Sequence, residues 1–332
     1  MTQAILRRAG ILGTGSYVPP KVITNDDLAA RMETSDEWIT SRTGIRARHL
    51  AEPGVFTSDL AAAAARNALA DAGLQSSEID LIIVASSTPD YPGSFPSTSA
   101  VVQQKIGAIG AAAFDLGAVC SGFAYALHVA AQMVAAGANQ RVLVIGAETL
   151  SRLINWDDRS TAVLFGDGAG AVIVGEVAEG GYLAGVLGAD GAGGPLLCVT
   201  RGGECPNTIF QNGKEVYKFA VTIMGEVAVQ AVEAAGLSLR EVDLLIPHQA
   251  NLRIIDKAAE RMGLPREKVM LNLDRYGNTS SASIPIALDE AVKTGRVQNG
   301  SLLVLVGFGA GLTWGANVVR WNRVGAGPTP GL

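Results

Sequence analysis

Ala72-Gly73-Leu74-Gln75-Ser76-Ser77-Glu78-Ile79-Asp80-Leu81-Ile82-Ile83 returns in altered form as Ala235-Gly236-Leu237-Ser238-Leu239-Arg240-Glu241-Val242-Asp243-Leu244-Leu245-Ile246. The shift from 72 to 235 is 163 residues, with no gap. A second pair, Arg141-Val142-Leu143-Val144-Ile145-Gly146 and Ser301-Leu302-Leu303-Val304-Leu305-Val306, is offset by 160, from 141 to 301. Each long copy reads as a helix end, a turn and an apolar strand. The period is far longer than that of any solenoid repeat. It predicts two similar α/β halves about a pseudo-twofold axis, residues 1–176 and 177–332. Between and around the copies, helical patterns such as Asp59 to Gly73 and Pro96 to Ile106 alternate with apolar strands such as Ile79 to Ser86 and Gly166 to Gly175. Such alternation predicts sheets covered by helices. The stretch from Glu176 to Lys218 has no counterpart and reads as an irregular bridge, either a mobile loop or an insert lining a substrate site.

In the first half, Asp115-Leu116-Gly117-Ala118-Val119-Cys120-Ser121-Gly122-Phe123 ends an apolar strand and starts an almost wholly apolar helix that runs to Ala138. Cys120 stands where the helix begins. A helix N-terminus stabilises a thiolate, and its first amides can hold an oxyanion. The plain alternative is a small buried hydrophobe, since free cysteine is among the most buried residue types.

Composition narrows the function classes. The 332 residues are 48% hydrophobic and 17% charged, with 40 glycines and a net charge of −5. That balance argues against bulk nucleic-acid binding. Three cysteines, at 120, 198 and 205, make neither a disulfide framework nor a metal quartet. The opening Met1 to Arg8 lacks the layout of a signal peptide, and no apolar run approaches the ~20 residues of a spanning helix. A cytoplasmic protein without a metal is expected. Gly13-Thr14-Gly15-Ser16 begins like a dinucleotide fingerprint but lacks its third glycine, and Gly166-Asp167-Gly168-Ala169-Gly170 lacks the Lys-Ser/Thr of a phosphate loop.

A base for Cys120 can be sought by elimination, because the chain has three histidines. His128 lies eight residues along the same helix, about 12 Å away at 1.5 Å per residue. His49 sits in the basic segment Arg46-Ala47-Arg48-His49 and reads as solvated. His248 remains, just beyond the apolar strand Val242 to Ile246, at the kind of strand end where α/β sheets build sites. A lone strand-end histidine is more often structural, but pairing with a helix-start cysteine favours catalysis. Asn278, in Tyr276-Gly277-Asn278-Thr279-Ser280, falls beside Cys120 once an offset near 160 is subtracted. It reads either as a turn asparagine or as a neutral donor beside His248. The run Gly307-Phe308-Gly309-Ala310-Gly311 would let backbone amides approach a substrate. Arg253, Lys257 and Arg261 recur every four residues, either a solvated helix face or a dock for an acidic partner.

Further ordered motifs join these: Thr34-Ser35-Asp36-Glu37-Trp38-Ile39, Arg42-Thr43-Gly44-Ile45, Asp158-Arg159, Phe165-Gly166-Asp167-Gly168, Pro247-His248-Gln249-Ala250-Asn251 and Phe308-Gly309-Ala310-Gly311-Leu312-Thr313-Trp314. From about Gly10 to Trp321 the chain resembles the condensing enzymes of the thiolase-fold superfamily, and within them the β-ketoacyl-acyl-carrier-protein synthase III family. The resemblance implies an acyltransferase with a thiolase-like fold, its mixed five-stranded sheets in αβαβα layers. It implies a Cys120–His248–Asn278 triad. On that likeness Cys120 would take a short acyl group, by default acetyl, from acyl-CoA. Malonyl-acyl-carrier protein would then lose CO2 and attack it, which would start fatty-acid synthesis. Backbone N–H groups of Cys120, Gly309 and Ala310 would hold the oxyanion. Trp38, Arg42 and Arg159 correspond to coenzyme A contacts. Gln249, Ala250, Asn251, Leu252 and Arg253 correspond to the carrier-protein contact. Phe95 and Phe165 correspond to the acyl pocket and the contact with a second subunit in a homodimer. No cofactor is implied beyond acyl-CoA as substrate.

Related families differ at these residues. Degradative thiolases carry a second cysteine in the C-terminal glycine turn, and elongating synthases a second histidine where Asn278 stands. Plant-type polyketide synthases and hydroxymethylglutaryl-CoA synthases share Cys-His-Asn and are set apart by Trp38 and the carrier segment. An alternative is a synthase III-like acyltransferase of a secondary-metabolite pathway that passes the acyl group to another acceptor. A non-catalytic partner subunit is a third reading, disfavoured by the intact Cys120, His248 and Asn278. The chain departs from the family pattern at the bridge Leu197 to Lys214 and the tail Val324 to Leu332, which leaves primer length open.

Overall fold

A computed structural model describes residues 7–202 and 206–323; Cys205 and the tail at 324–332 lie outside them. The first sheet is built from β1 (Ala9–Tyr17), β2 (Leu81–Ala85), β3 (Ala112–Leu116), β4 (Arg141–Glu148) and β5 (Gly168–Glu176), in the order β1-β5-β4-β2-β3. The second is built from β6 (Gly181–Ala189), β7 (Leu244–Pro247), β8 (Leu302–Gly309) and β9 (Thr313–Arg320), in the order β7-β8-β9-β6. In each sheet a parallel pair (β2 with β4, β7 with β8) continues into antiparallel partners, and in the first sheet β3 adds a second parallel pairing to β2. The two sheets therefore repeat one topology, as the duplicated sequence predicts. Strands such as Leu81-Ile82-Ile83-Val84-Ala85 are apolar on both faces because helices cover both faces.

The expected second five-stranded sheet has four strands. Its fifth place, opposite β3, shrinks to one parallel bridge between Leu245 and Val269, with the Met270 N–H donating to the Leu245 carbonyl at 2.8 Å. The chain turns away directly afterwards. The Gln249 Oε1 accepts the N–H groups of Asn272 (3.0 Å) and Leu273 (3.2 Å), which spends their pairing capacity on a side chain.

Two helices fill the space between the sheets, α4 (Gly122–Ala135) and α7 (Ser283–Lys293). In α4, Phe123, Ala126, Leu127 and Ala130 are buried, and Asn317 on β9 donates to the Ala124 carbonyl at 3.0 Å. On the outer faces, α2 (Thr57–Ala72) and α3 (Thr98–Ile106) cover the first sheet, while α5 (Gly213–Ala234) and α6 (Leu252–Met262) cover the second. This gives the αβαβα layering that the resemblance implies. Helix α1 (Asp36–Thr43), capped by Ser35, belongs to an excursion before α2. There Thr24 caps the short helix Asn25–Ala29, and Asn25 is buried and donates to the Ile45 carbonyl at 2.8 Å.

Candidate active site

At the end of β3 the chain makes a 3-10 turn, Val119–Ser121, that runs straight into α4. Val119 has φ +47, a left-handed backbone that a β-branched residue rarely adopts and that is typical of functional sites. The turn is held from two sides. The hydroxyls of Ser121 and Thr313, 2.8 Å apart, both lie against the Ala118 carbonyl, at 2.8 and 3.1 Å. A Cβ on Gly309 would sit 2.7 Å from the Cys120 backbone nitrogen, so only glycine lets the end of β8 close on the cysteine.

The second half supplies the rest. A Cβ on Gly307 would lie 3.4 Å from the Cys120 carbonyl and 3.5 Å from the His248 Cβ, which puts Cys120 and His248 together against one face of β8 at residue 307. His248 follows β7 and is held by its N–H to the Val306 carbonyl at 2.7 Å. Its ring stands edge-on to Phe308, with centroids 5.6 Å apart, and its Nδ1 is 2.6 Å from the Ser283 Oγ. Asn278 reaches across to the first half, exchanging backbone bonds with Leu164 (2.9 Å) and Gly166 (3.0 Å). Its Oδ1 accepts the Ser280 N–H at 2.9 Å, which orients the amide and leaves the NH2 group as its donor.

Cys120, His248, Asn278, Phe165, Gly309 and Ala310 all line one cavity of about 410 Å³. Its further wall is apolar, with Leu150, Leu164, Leu197, Val199 and Ile209. The bridge of irregular sequence thus contributes to the wall of the cavity through Leu197, Val199 and Ile209. Burial pushes the Cys120 thiol up to about 12, and the nearby Glu148 carboxylate adds to the rise. Burial likewise depresses His248 to about 3. The expected thiolate at the helix start is therefore outweighed by desolvation. The pair is therefore a thiol and a neutral imidazole.

The other two histidines are occupied elsewhere. His128 is half-buried, with its Nδ1 2.7 Å from the Tyr182 hydroxyl. His49 was expected to be solvated. It is half-buried, with its Nδ1–H donating to the Pro19 carbonyl at 2.6 Å and its ring against Tyr276.

At the outer rim, the guanidinium groups of Arg42 and Arg159 lie 4.5 and 5.0 Å from the Trp38 ring centroid. The Asn251 Nδ2 donates to the Arg42 carbonyl at 3.0 Å, so these residues adjoin the start of α6. Gln249 does not belong to the rim. It is 1% exposed, and its amide bonds the Pro247 and Met270 carbonyls as well as the N–H groups of Asn272 and Leu273. It braces the loop and has no surface to offer a partner. Ala250 is also buried and lines the cavity, while Arg253 is exposed over the Tyr217 ring. Of the basic stripe, Lys257 pairs with Glu260 and Arg261 with Glu226. Phe95 lies outside the cavity and is 89% exposed.

Sequence reading missed Glu148, buried at the end of β4 beneath both turns. Its carboxyl accepts from the Thr88 hydroxyl (2.7 Å), the Ser87 N–H (3.0 Å) and the Ser281 hydroxyl (3.0 Å). The available signal was an acid at the end of a fully apolar strand, a place where a charge needs partners.

Residues 114–191 match the family described as 3-oxoacyl-[acyl-carrier-protein (ACP)] synthase III, and residues 232–321 match its C-terminal part. The β-ketoacyl-[acyl-carrier-protein] synthase III of Desulfitobacterium hafniense (strain Y51) is 53% identical over 328 residues, covering 95% of this chain and 98% of that one. That of Symbiobacterium thermophilum is 54% identical over 330 residues, covering 96% and 99%. The crystal structure of 3-oxoacyl-[acyl-carrier-protein] synthase III from Aquifex aeolicus VF5 superposes with a TM-score of 0.90 at 48% identity, covering 94% of this chain and all of that one. With its duplicated layers, its cysteine turn and this likeness over nearly its whole length, the chain belongs to the β-ketoacyl-acyl-carrier-protein synthase III family.

Proposed function

We propose that the chain condenses a short acyl-CoA, by default acetyl-CoA, with malonyl-acyl-carrier protein, through an acyl group carried on Cys120. The observation that carries this reading is the convergence of Cys120, His248 and Asn278 on one apolar cavity, with Gly309 packed against the Cys120 amide. In the first step the Cys120 sulfur bonds the acyl carbon and the carbon–sulfur bond to coenzyme A breaks. The thiol proton leaves with coenzyme A. The oxyanion formed on the way is held by the backbone N–H of Cys120 and of the Gly309–Ala310 segment.

In the second step the malonyl C–CO2 bond breaks and its electron pair becomes a thioester enolate. The enolate oxygen takes hydrogen bonds from the His248 ring and the Asn278 amide. Neutral donors suit this task, since a carboxylate at 278 would repel the enolate. The enolate carbon then attacks the acyl carbonyl. Cys120 leaves as thiolate and takes a proton from solvent. Every step is served by the chain's own side chains, so acyl-CoA is a substrate and no resident cofactor is required by this scheme.

The halves 1–176 and 177–332 each bring one turn to the site. Trp38, Arg42 and Arg159 would bind coenzyme A, the adenine inserting between the ring and the Arg159 guanidinium. Asn251, Leu252 and Arg253 remain as carrier-protein contacts at the mouth. A homodimer is supported by the open edge of β3 and by Phe95 and Ile109, 89% and 87% exposed beside it. A reducing cytoplasm suits a free catalytic thiol, and among the described residues no helix is long and apolar enough to cross a membrane.

The test is mass spectrometry after incubation with a panel of acyl-CoA primers, with and without malonyl-carrier protein. An adduct on Cys120 that is discharged as a β-ketoacyl product supports the reading. An adduct on another residue, or discharge without carbon–carbon bond formation, overturns it.

A further inference from the structure

We infer that Ser283 is a positioning residue that holds His248 as the Nε2–H tautomer, so that the ring meets the cavity as a hydrogen-bond donor. Ser283 opens α7, 35 residues beyond His248 in sequence, and is 2% exposed. Its Oγ has two partners: the His248 Nδ1 at 2.6 Å and the Gln249 backbone N–H at 3.3 Å. An amide N–H can only donate, so it occupies a lone pair of the hydroxyl. The hydroxyl proton is then left for Nδ1. Were Nδ1 itself protonated, the serine oxygen would face two donors and its own proton would be buried without an acceptor. An orphaned buried donor of this kind costs about 1–3 kcal/mol. Ser283 therefore favours an unprotonated Nδ1, and the ring's single proton sits on Nε2.

The arrangement is also rigid. The His248 N–H is tied to β8 through Val306, and the Gln249 side chain is anchored at four points. Ser283 is thus held against a fixed loop by a helix whose residues 283–289 are all buried. A ring locked in this tautomer has no lone pair on Nε2, so it can stabilise an enolate but cannot take the thiol proton of Cys120. This inference rests on the reading of His248 as the enolate's donor and adds to it the group that makes His248 a donor.

The experiment uses the full chain labelled with ring-15N histidine. With three histidines in the sequence, His248 is assigned by difference against His248→Gln. The expected spectrum shows an unprotonated Nδ1 and a protonated Nε2. A protonated Nδ1 in the unaltered chain overturns the inference, whatever the variants do. Ser283→Ala should populate the Nδ1–H form and slow malonyl-carrier decarboxylation about tenfold, the scale of one lost hydrogen bond. Its KM for the malonyl substrate and its rate of Cys120 acylation should change less than about twofold. Ser283→Thr, which keeps the hydroxyl, should restore both spectrum and rate. Equal losses in acylation and decarboxylation mark Ser283 as merely structural and refute its role. If instead His248→Ala, which has no donor, decarboxylates at the unaltered rate, the donor reading of His248 fails, while the spectrum still decides the tautomer.

Discussion

The turns at 119–121 and 280–282 share one backbone and differ in chemistry. Val119 and Ser280 both take a left-handed conformation, φ +47 and +50, and each opens a 3-10 turn that enters a helix of the central layer. This register sets Cys120 opposite Ser281. Asn278 lies three residues before Ser281, so the duplication predicts equivalent turns but not equivalent residues. Cys120 faces the cavity. The Ser281 hydroxyl instead donates toward the Ala85 carbonyl (2.8 Å) and the Glu148 carboxyl (3.0 Å). One copy of the turn presents its thiol to the cavity, and the other ties the halves together. The residue of the second copy that lines the cavity with its amide is Asn278, upstream of the turn. A strained backbone can thus be inherited whole while the exposure of one side chain decides which copy does chemistry.

The comparison breaks most sharply by moving the thiol. Cys120→Ala should lose at least about 10⁴-fold in condensation. Adding Ser281→Cys to it should restore nothing, because that thiol would be buried against Glu148. An acyl adduct at position 281, read by mass spectrometry, would show the two turns to be interchangeable. Next in size, Asn278→Asp should slow decarboxylation about 10²–10³-fold, the range for one lost oxyanion donor, while single-turnover acylation of Cys120 is spared. Equal loss in both steps would return Asn278 to a turn-forming role.

A smaller effect tests how the second turn closes on the first half. A Cβ on Gly146 would collide with the Ser281 carbonyl oxygen. Gly146→Ala should therefore cost roughly 1–3 kcal/mol in denaturant unfolding, as overpacking does. An unchanged midpoint would mean that the turns do not press on each other. The smallest expectation is an absence of change. Burial holds His248 at about 3 against an ordinary 6.5, so the ring is neutral from pH 8 down to 6. The decarboxylation rate of the acylated enzyme should show no histidine limb across that range. An inflection near 6.5 would mean that the ring is hydrated and free to titrate.

Much of this is legible in the sequence. The strands around Ile82 and Leu245 are apolar on both faces, and their flanking turns repeat, so the two-fold α/β plan follows from periodicity and spacing. The count of histidines together with the Cys120 turn singled out His248, and the offset near 160 brought Asn278 beside it. Gln249 illustrates the opposite case. By its place in the motif it belonged to the partner contact, yet it is buried and spends its amide on four backbone groups. Those bonds also turn the chain away after the Leu245–Val269 bridge, and the expected fifth strand is lost with them.

The sequence by itself determined the duplicated layers, pointed to the cysteine, histidine and asparagine that meet in the cavity, and carried the synthase III family's pattern. Such features are local: burial leaves its period in each strand and helix, and a motif carries its residue types in order. Only the tertiary structure decided that Ser283 meets His248, that Glu148 lies beneath both turns, and that burial keeps Cys120 a thiol. Those facts depend on which elements pack together and how much water they exclude. Pairings of that kind, across 35 residues for His248 and Ser283, or 133 for Glu148 and Ser281, leave no period in the chain to be read.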